Sequence, residues 1–228
     1  MKHALKVIGI GVALGLVLLF LKQSLHISEE VFMIYFWILG VGILVVAVLF
    51  NFFYICSYQK KMKVAALLLD QGKTKEYIQA LEELRKRAKG RYLQNLFTLN
   101  LTAGYCDLKE YAKATELFKS LENVRLPCDL KLVYHINLCI CYFYDEQTEK
   151  ALALYTSQQT LFHSPLAAKL YGGNIAVMDV FALVEQREYG RAEKLLTTAR
   201  EAWPDSRLQA DFAYLEEKLQ HEQEKEFQ

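Results

Sequence analysis

Two patterns of apolar residues divide the chain. No charged residue occurs from Val7 to Leu21, and none from Val31 to Tyr58. Beyond Ser57 the apolar positions recur at helical spacing between charged residues, as in Leu117, Phe118 and Leu121, or Leu195 and Ala199. A helix rises about 1.5 Å per residue, so roughly 20 residues cross a hydrocarbon core about 30 Å thick. The two uncharged runs therefore predict spans at about 5–25 and 31–56. The remainder predicts helices at about 60–70, 74–88, 92–106, 110–122, 130–144, 148–161, 167–186, 190–202 and 207–225. Strand-like alternation is absent, and the expected fold class is all-α. Residues 1–58 form a transmembrane hairpin, and residues 59–228 form a cytoplasmic helical domain whose last helix caps it.

The charges that flank the runs set the expected orientation. Lys2 and Lys6 precede the first run, and Lys60, Lys61 and Lys63 follow the second. The connection KQSLHISEE holds Lys22 as its only lysine or arginine, with Glu29 and Glu30. The excess of lysine on the outer flanks predicts both termini in the cytoplasm, with a plasma membrane preferred to an organelle membrane. A signal peptide is the rival reading of MKHALK and the apolar run behind it. Its bulky LLFLK end and the second span close behind it favour a retained helix. Gly11 and Gly15, with Gly40 and Gly42, are the expected points of close helix approach. No charged or histidine side chain lies inside either uncharged run, which suits an anchor and not a conduit. Asn51 is the strongly polar residue of the second span.

The helical region repeats itself. KEYIQALEEL, KEYAKATELF, QTEKALALYT and REYGRAEKLL each carry an alanine (Ala80, Ala114, Ala151, Ala192) followed four residues later by Leu84, Phe118, Tyr155 or Leu196. The alanines are separated by 34, 37 and 41 residues, and Tyr77, Tyr111 and Tyr189 each precede one by three. This pattern resembles the tetratricopeptide repeat (TPR), a helix-turn-helix unit, over about residues 60–225. LTAGYCDLKEYAKATELFKSLENVRLP is the best match, through Tyr105, Tyr111, Ala114, Phe118 and Pro127. The next unit matches through Leu138, Tyr142, Ala151 and Tyr155, and the last through Leu183, Tyr189, Ala192, Leu196, Ala199 and Pro204. The family's usual tryptophan is missing from every unit, and glycine at the first turn occurs only as Gly72. The resemblance implies a stack of antiparallel helix pairs whose concave face takes a peptide or partner helix. It places Asn100 and Asn137 at equivalent inner positions, with Ile136, Ile140, Phe143 and Tyr144 lining an apolar groove. Leu99 and Ile136 stand where the family's lysine clamp for a carboxylate would be.

Net charge is +1, and the region from Ser57 onward is balanced, with 24 basic and 24 acidic residues, so nucleic acid is not an expected partner. The signs are nevertheless segregated. Between Lys60 and Arg91 there are 10 basic and 4 acidic residues, and from Ala192 to the end 5 and 9. Lys60, Lys61, Lys63, Arg85, Lys86, Arg87, Lys89 and Arg91 are thus candidates to touch an anionic leaflet, each contributing about 1 kcal/mol; an ordinary solvated helix is the alternative.

Catalytic chemistry is not predicted. The five cysteines, Cys56, Cys106, Cys128, Cys139 and Cys141, are expected as free thiols, with Cys56 placed for acylation at the end of the second span. Cys139 and Cys141 point to different faces of one helix and have no histidine at ligand spacing. His135 reads as a structural residue beside Tyr134. GIGVALG lies in an apolar run with no strand before it, so it lacks the context of a phosphate loop. Tyr171-Gly172-Gly173-Asn174 predicts a kink or a late helix start. Asn100-Leu101-Thr102 is a formal glycosylation sequon on the expected cytoplasmic side. No cofactor or metal is implied. The expected function is a membrane-anchored adaptor for a protein or peptide; the alternative is an accessory subunit that meets a larger transport or secretion complex through its hairpin.

Overall fold

The computed structural model describes Gly11, residues 15–20, 22–24, His26 and residues 28–226, and these contain no strand. Ten helices follow Ser28: α1 (Glu29–Asp70), α2 (Thr74–Arg87), α3 (Arg91–Asp107), α4 (Tyr111–Leu121), α5 (Cys128–Tyr144), α6 (Thr148–Ser157), α7 (Gln159–Phe162), α8 (Pro165–Glu185), α9 (Tyr189–Ala202) and α10 (Ser206–Glu226). The chain divides into two compact units, residues 1–57 and 58–228.

In the first unit, an apolar helical stretch covers Gly15–Ser24, and the rest of the expected span at about 5–25 lies outside the described residues. So do Lys2, Lys6 and the two ends of the cytoplasmic-terminus expectation. The helix that holds the second uncharged run does not stop at residue 56: α1 continues for 42 residues to Asp70. The separate helix expected at 60–70 is its last turns. No glycine or proline occurs between Gly42 and Gly72, so nothing in the covalent chain interrupts the helix. Its most apolar 18-residue window has no buried residue, whereas the comparable window of α8 is 56% buried. By length and composition both helices are long enough to cross a bilayer. Among the described residues, a Cβ added to Gly40 or Gly42 would meet nothing within 4 Å.

The second unit is built on one turn used four times. Gly72, Lys109, Glu146 and Arg187 adopt φ of 71°, 58°, 56° and 60°. The residue after each is again alike, with φ/ψ of −92/53 at Lys73, −87/56 at Glu110, −84/55 at Gln147 and −88/55 at Glu188. At each turn the left-handed residue donates its N–H three residues back (Lys109 to Cys106 O, 2.9 Å) and its successor five back (Glu110 to Tyr105 O, 2.8 Å). That is the Schellman closure of a helix C-terminus, and it satisfies carbonyls that would otherwise be orphaned. A new helix then starts two residues beyond the left-handed position, at Thr74, Tyr111, Thr148 and Tyr189.

Anchoring the repeats on this turn corrects the register of the first one. Ala114, Ala151 and Ala192 lie five residues past the turn and are completely buried. The corresponding residue in the first repeat is Tyr77, not Ala80, which is only half-buried. Leu81 then matches Phe118, Tyr155 and Leu196. The bulk of Tyr77 is accommodated by an absence across the interface: a Cβ on Gly104 would lie 2.9 Å from Ile78 Cγ1 and 3.1 Å from the Tyr77 ring. The large-small exchange preserves packing density where two helices meet.

Successive helices pack as neighbours, α3 on α2 and α4, α5 on α3, α4 and α6, α8 on α5, α6 and α9. The expected helix at 148–161 breaks at Gln158, and α7 turns Phe162 fully into the core. In α8 the backbone leaves helical geometry at Tyr171 (φ −135°, ψ 22°), with Gly172 and Gly173 lying against Trp203 and Leu208. A repeated polar device ties helix ends: Gln94 Nε2 donates to Arg85 O (2.7 Å) and Ala88 O (2.6 Å), and Gln209 Nε2 donates to Arg200 O (3.0 Å) and Trp203 O (2.9 Å). α10 closes the unit by packing on α8 and α9, with Phe212, Leu215 and Leu219 buried.

Candidate functional site

The residues expected to line a partner groove are engaged within the chain. On α5, Ile136 is 1% and Phe143 is 2% exposed. Phe143 stacks on Phe181 of α8 at 4.9 Å between ring centres, and Ile140 packs half-buried against the same core. Ile136 and Phe143 are therefore core residues and not an open lining. Helical spacing alone does not separate the face turned to a neighbour from the face turned to a ligand. Tyr144 is held by α10: its hydroxyl donates to Asp211 Oδ1 at 2.5 Å, and its ring lies 5.2 Å from that of Tyr214. Burial, with Asp211 adjacent, pushes the Tyr144 hydroxyl well above its usual pKa, and burial raises Asp211 as well. Asn100 donates through Nδ2 to Leu96 O (2.8 Å), and its backbone carbonyl accepts from the Tyr77 hydroxyl (3.2 Å). Asn137 Nδ2 reaches Leu99 O at 3.5 Å.

The N-terminal end of α10 also meets the end of α1. Arg207 Nε lies 3.2 Å from Asp70 Oδ1. Next to this pair, Thr74 donates to Asp107 at 2.5 Å. The face expected to receive a partner helix is crossed by the chain's own terminal helix.

The basic residues fare differently. Lys60, Lys61, Lys63, Lys86, Arg87, Lys89 and Arg91 are exposed, and Arg85 is half-buried. Their two clusters are more than twenty residues apart in sequence, but the turn at Gly72 runs α2 back along the last turns of α1. Lys61 and Arg87 consequently line one groove of about 380 Å³, together with Val64, Ala65, Leu68, Ala80, Glu83 and Leu84. Arg87 also pairs with Glu83 at 3.7 Å, and the Lys61 ammonium lies over the Tyr58 ring at 5.0 Å. The opposite faces of the two helices are buried toward α3: Tyr58 against Phe97, and Tyr77 and Ile78 against Gly104. Val64 and Leu67 are 67% and 55% exposed, high for aliphatic residues.

Titratable side chains elsewhere serve packing. Tyr155 donates to Asp179 Oδ1 at 2.6 Å, with His163 Nε2 3.8 Å from the same oxygen, and burial raises Asp179. Cys139, fully buried, donates to Ala151 O at 3.6 Å and is pushed up to about 12 by burial. The neighbouring Cys141 thiol, together with burial, pushes the Cys106 thiol well above its usual pKa. The His135 ring is edge-on to Tyr134, and burial, with Lys131 nearby, lowers its pKa. Among the described residues no cluster of three or more His, Cys, Asp or Glu is arranged to hold a metal ion.

No family model, no curated protein and no solved structure matches the chain.

Proposed function

We propose that this protein is a membrane-anchored adaptor: a two-helix hairpin in the bilayer carries a TPR-like stack of helix pairs on the cytoplasmic face, and the stack takes a protein or peptide partner. The observation that carries the reading is α1. Among the described residues, its most apolar 18-residue window has no buried residue, and the helix runs without interruption into Lys60, Lys61 and Lys63. Hydrocarbon is the favourable surrounding for such a surface, because each large apolar side chain left in water forfeits about 1.5–3 kcal/mol. The turn shared by four helix pairs supports the repeat reading. The two basic clusters gathered at one end of the α1–α2 pair support contact with anionic headgroups by Lys60, Lys63, Arg85, Lys86, Lys89 and Arg91.

A second reading, an accessory subunit docked to a larger membrane complex, is favoured by the uncovered aromatic side chains Phe36, Trp37, Phe50 and Phe53 of α1. Alkaline carbonate extraction of membranes, followed by mild-detergent purification of the full chain and of a chain starting at Tyr58, separates the readings. A partner kept by both chains supports the adaptor, and one kept only with the hairpin supports the subunit. Release of the intact chain by carbonate refutes both.

A further inference from the structure

The chain shows at one end how a stack of helix pairs is finished. α10 lays Phe212, Leu215 and Leu219 onto α8 and α9 and fixes its rim with ion pairs, Lys218 to Glu185 at 2.9 Å and Arg200 to Glu216 at 2.6 Å. At the other end Val64, in the groove between the first two helices, is 67% exposed. The α1–α2 groove presents Val64, Leu68, Ala80 and Leu84 as an apolar floor with Lys61 and Arg87 at one end. A helical stack needs both terminal faces covered by a polar-backed element.

We infer that the α1–α2 groove docks an amphipathic helix of a partner protein, apolar toward the floor and acidic where it passes Lys61 and Arg87. This names the partner chemistry of the adaptor reading and rests on it, while the groove lies wholly within residues 58–228 and needs no membrane. Charge complementarity selects the acidic rim. Glu83 is the one acidic residue in the groove, and it is already paired with Arg87. A lipid chain would fill the apolar floor of Val64, Leu68, Ala80 and Leu84 without using the paired basic side chains at one end, and the test below distinguishes it. A second copy's α10 fits poorly: its outward residues Ala210, Ala213, Glu216, Glu217 and Gln220 offer no large apolar side chain.

The test uses the full chain in phosphatidylcholine nanodiscs and a fluorescent 18-residue helical probe with leucines at i, i+3, i+4 and i+7 and glutamates flanking them. The comparison probe carries lysines in place of the glutamates. The acidic probe is expected to bind about fivefold tighter, the worth of about one exposed ion pair, because Arg87 already has Glu83. The double substitution Lys61→Glu and Arg87→Glu, both at exposed positions, reverses the preference, and Leu84→Asp abolishes binding of either probe. Equal binding of the two probes, or acidic-probe binding that survives Leu84→Asp with helix content unchanged, overturns the inference. Protection of a Val64→Cys thiol by phosphatidylglycerol in the nanodisc, with no probe present, also overturns it, by assigning the groove to lipid. Failure of the chain to enter nanodiscs refutes the membrane reading instead, and the probes are then tested on the chain in solution.

Discussion

Replacing Lys109, Glu146 or Arg187 by glycine is expected to stabilise the protein, although each change deletes a whole side chain. All three sit at positive φ in the turn that Gly72 occupies in the first repeat. An L-residue in the left-handed region costs about 1–2 kcal/mol because Cβ crowds the following carbonyl. Glycine avoids that cost but loses more freedom on folding, an opposing term of about 0.5–1 kcal/mol. The balance is a gain of about 0.5–1 kcal/mol per site, or about 1–4 °C in Tm for a unit of this size. The three side chains are exposed, so little packing is lost. The sites belong to successive repeats, and the triple variant should approach the sum of the singles. Gly72→Ala, at φ 71°, is the reciprocal case and should lose about 1 kcal/mol. Urea unfolding of the full chain in a fixed detergent, followed by helical circular dichroism, gives the values. Glycine variants that lose stability at all three sites, as glycine does inside a helix, would refute the shared turn.

Three further outcomes follow from packing and charge. Gly104→Ala should destabilise by about 1–3 kcal/mol through overpacking against Tyr77 and Ile78. Tyr77→Ala combined with it should lose less than the two single changes together, because the pair restores the alanine of the other repeats; the same unfolding assay reads this cycle. Ala114→Leu, Ala151→Leu and Ala192→Leu should each cost about 1–3 kcal/mol, seen as a lower denaturation midpoint with unchanged slope. Asp179 has a raised folded pKa, so its contribution is full below the ordinary carboxylate value of about 3.9 and is lost as pH rises through the folded value. Asp179→Asn, which keeps an acceptor for Tyr155, should gain on the unsubstituted chain across that window and level off above it; a pH-independent difference would argue against a buried carboxylate.

The all-helical class was legible because uncharged runs and helical spacing leave few alternatives. The buried Ala114, Ala151 and Ala192 were legible because a small residue between large ones has one packing explanation. The continuity of α1 was also written in the chain, as the absence of glycine and proline between Gly42 and Gly72, but the appearance of lysines at Lys60 suggested a boundary. The turns were hidden because lysine, glutamate and arginine occupy positions whose conformation normally selects glycine. The first repeat was displaced by three residues because Tyr77, compensated by Gly104 from another helix, took the place of the alanine. The inner face was misread for a related reason. Spacing shows that Ile136, Phe143 and Tyr144 face inward, and only tertiary structure shows that α8 and α10 are what they face.

The measurement closest to the central claim is thiol labelling of the full chain in intact and permeabilised cells with a membrane-impermeant maleimide. Gln23→Cys, in the connection between the two apolar runs, should label in intact cells, while the exposed native Cys128 should label only after permeabilisation. Labelling of Cys128 in intact cells would put the helical unit on the wrong side, and recovery of the chain in the soluble fraction would remove the anchor altogether.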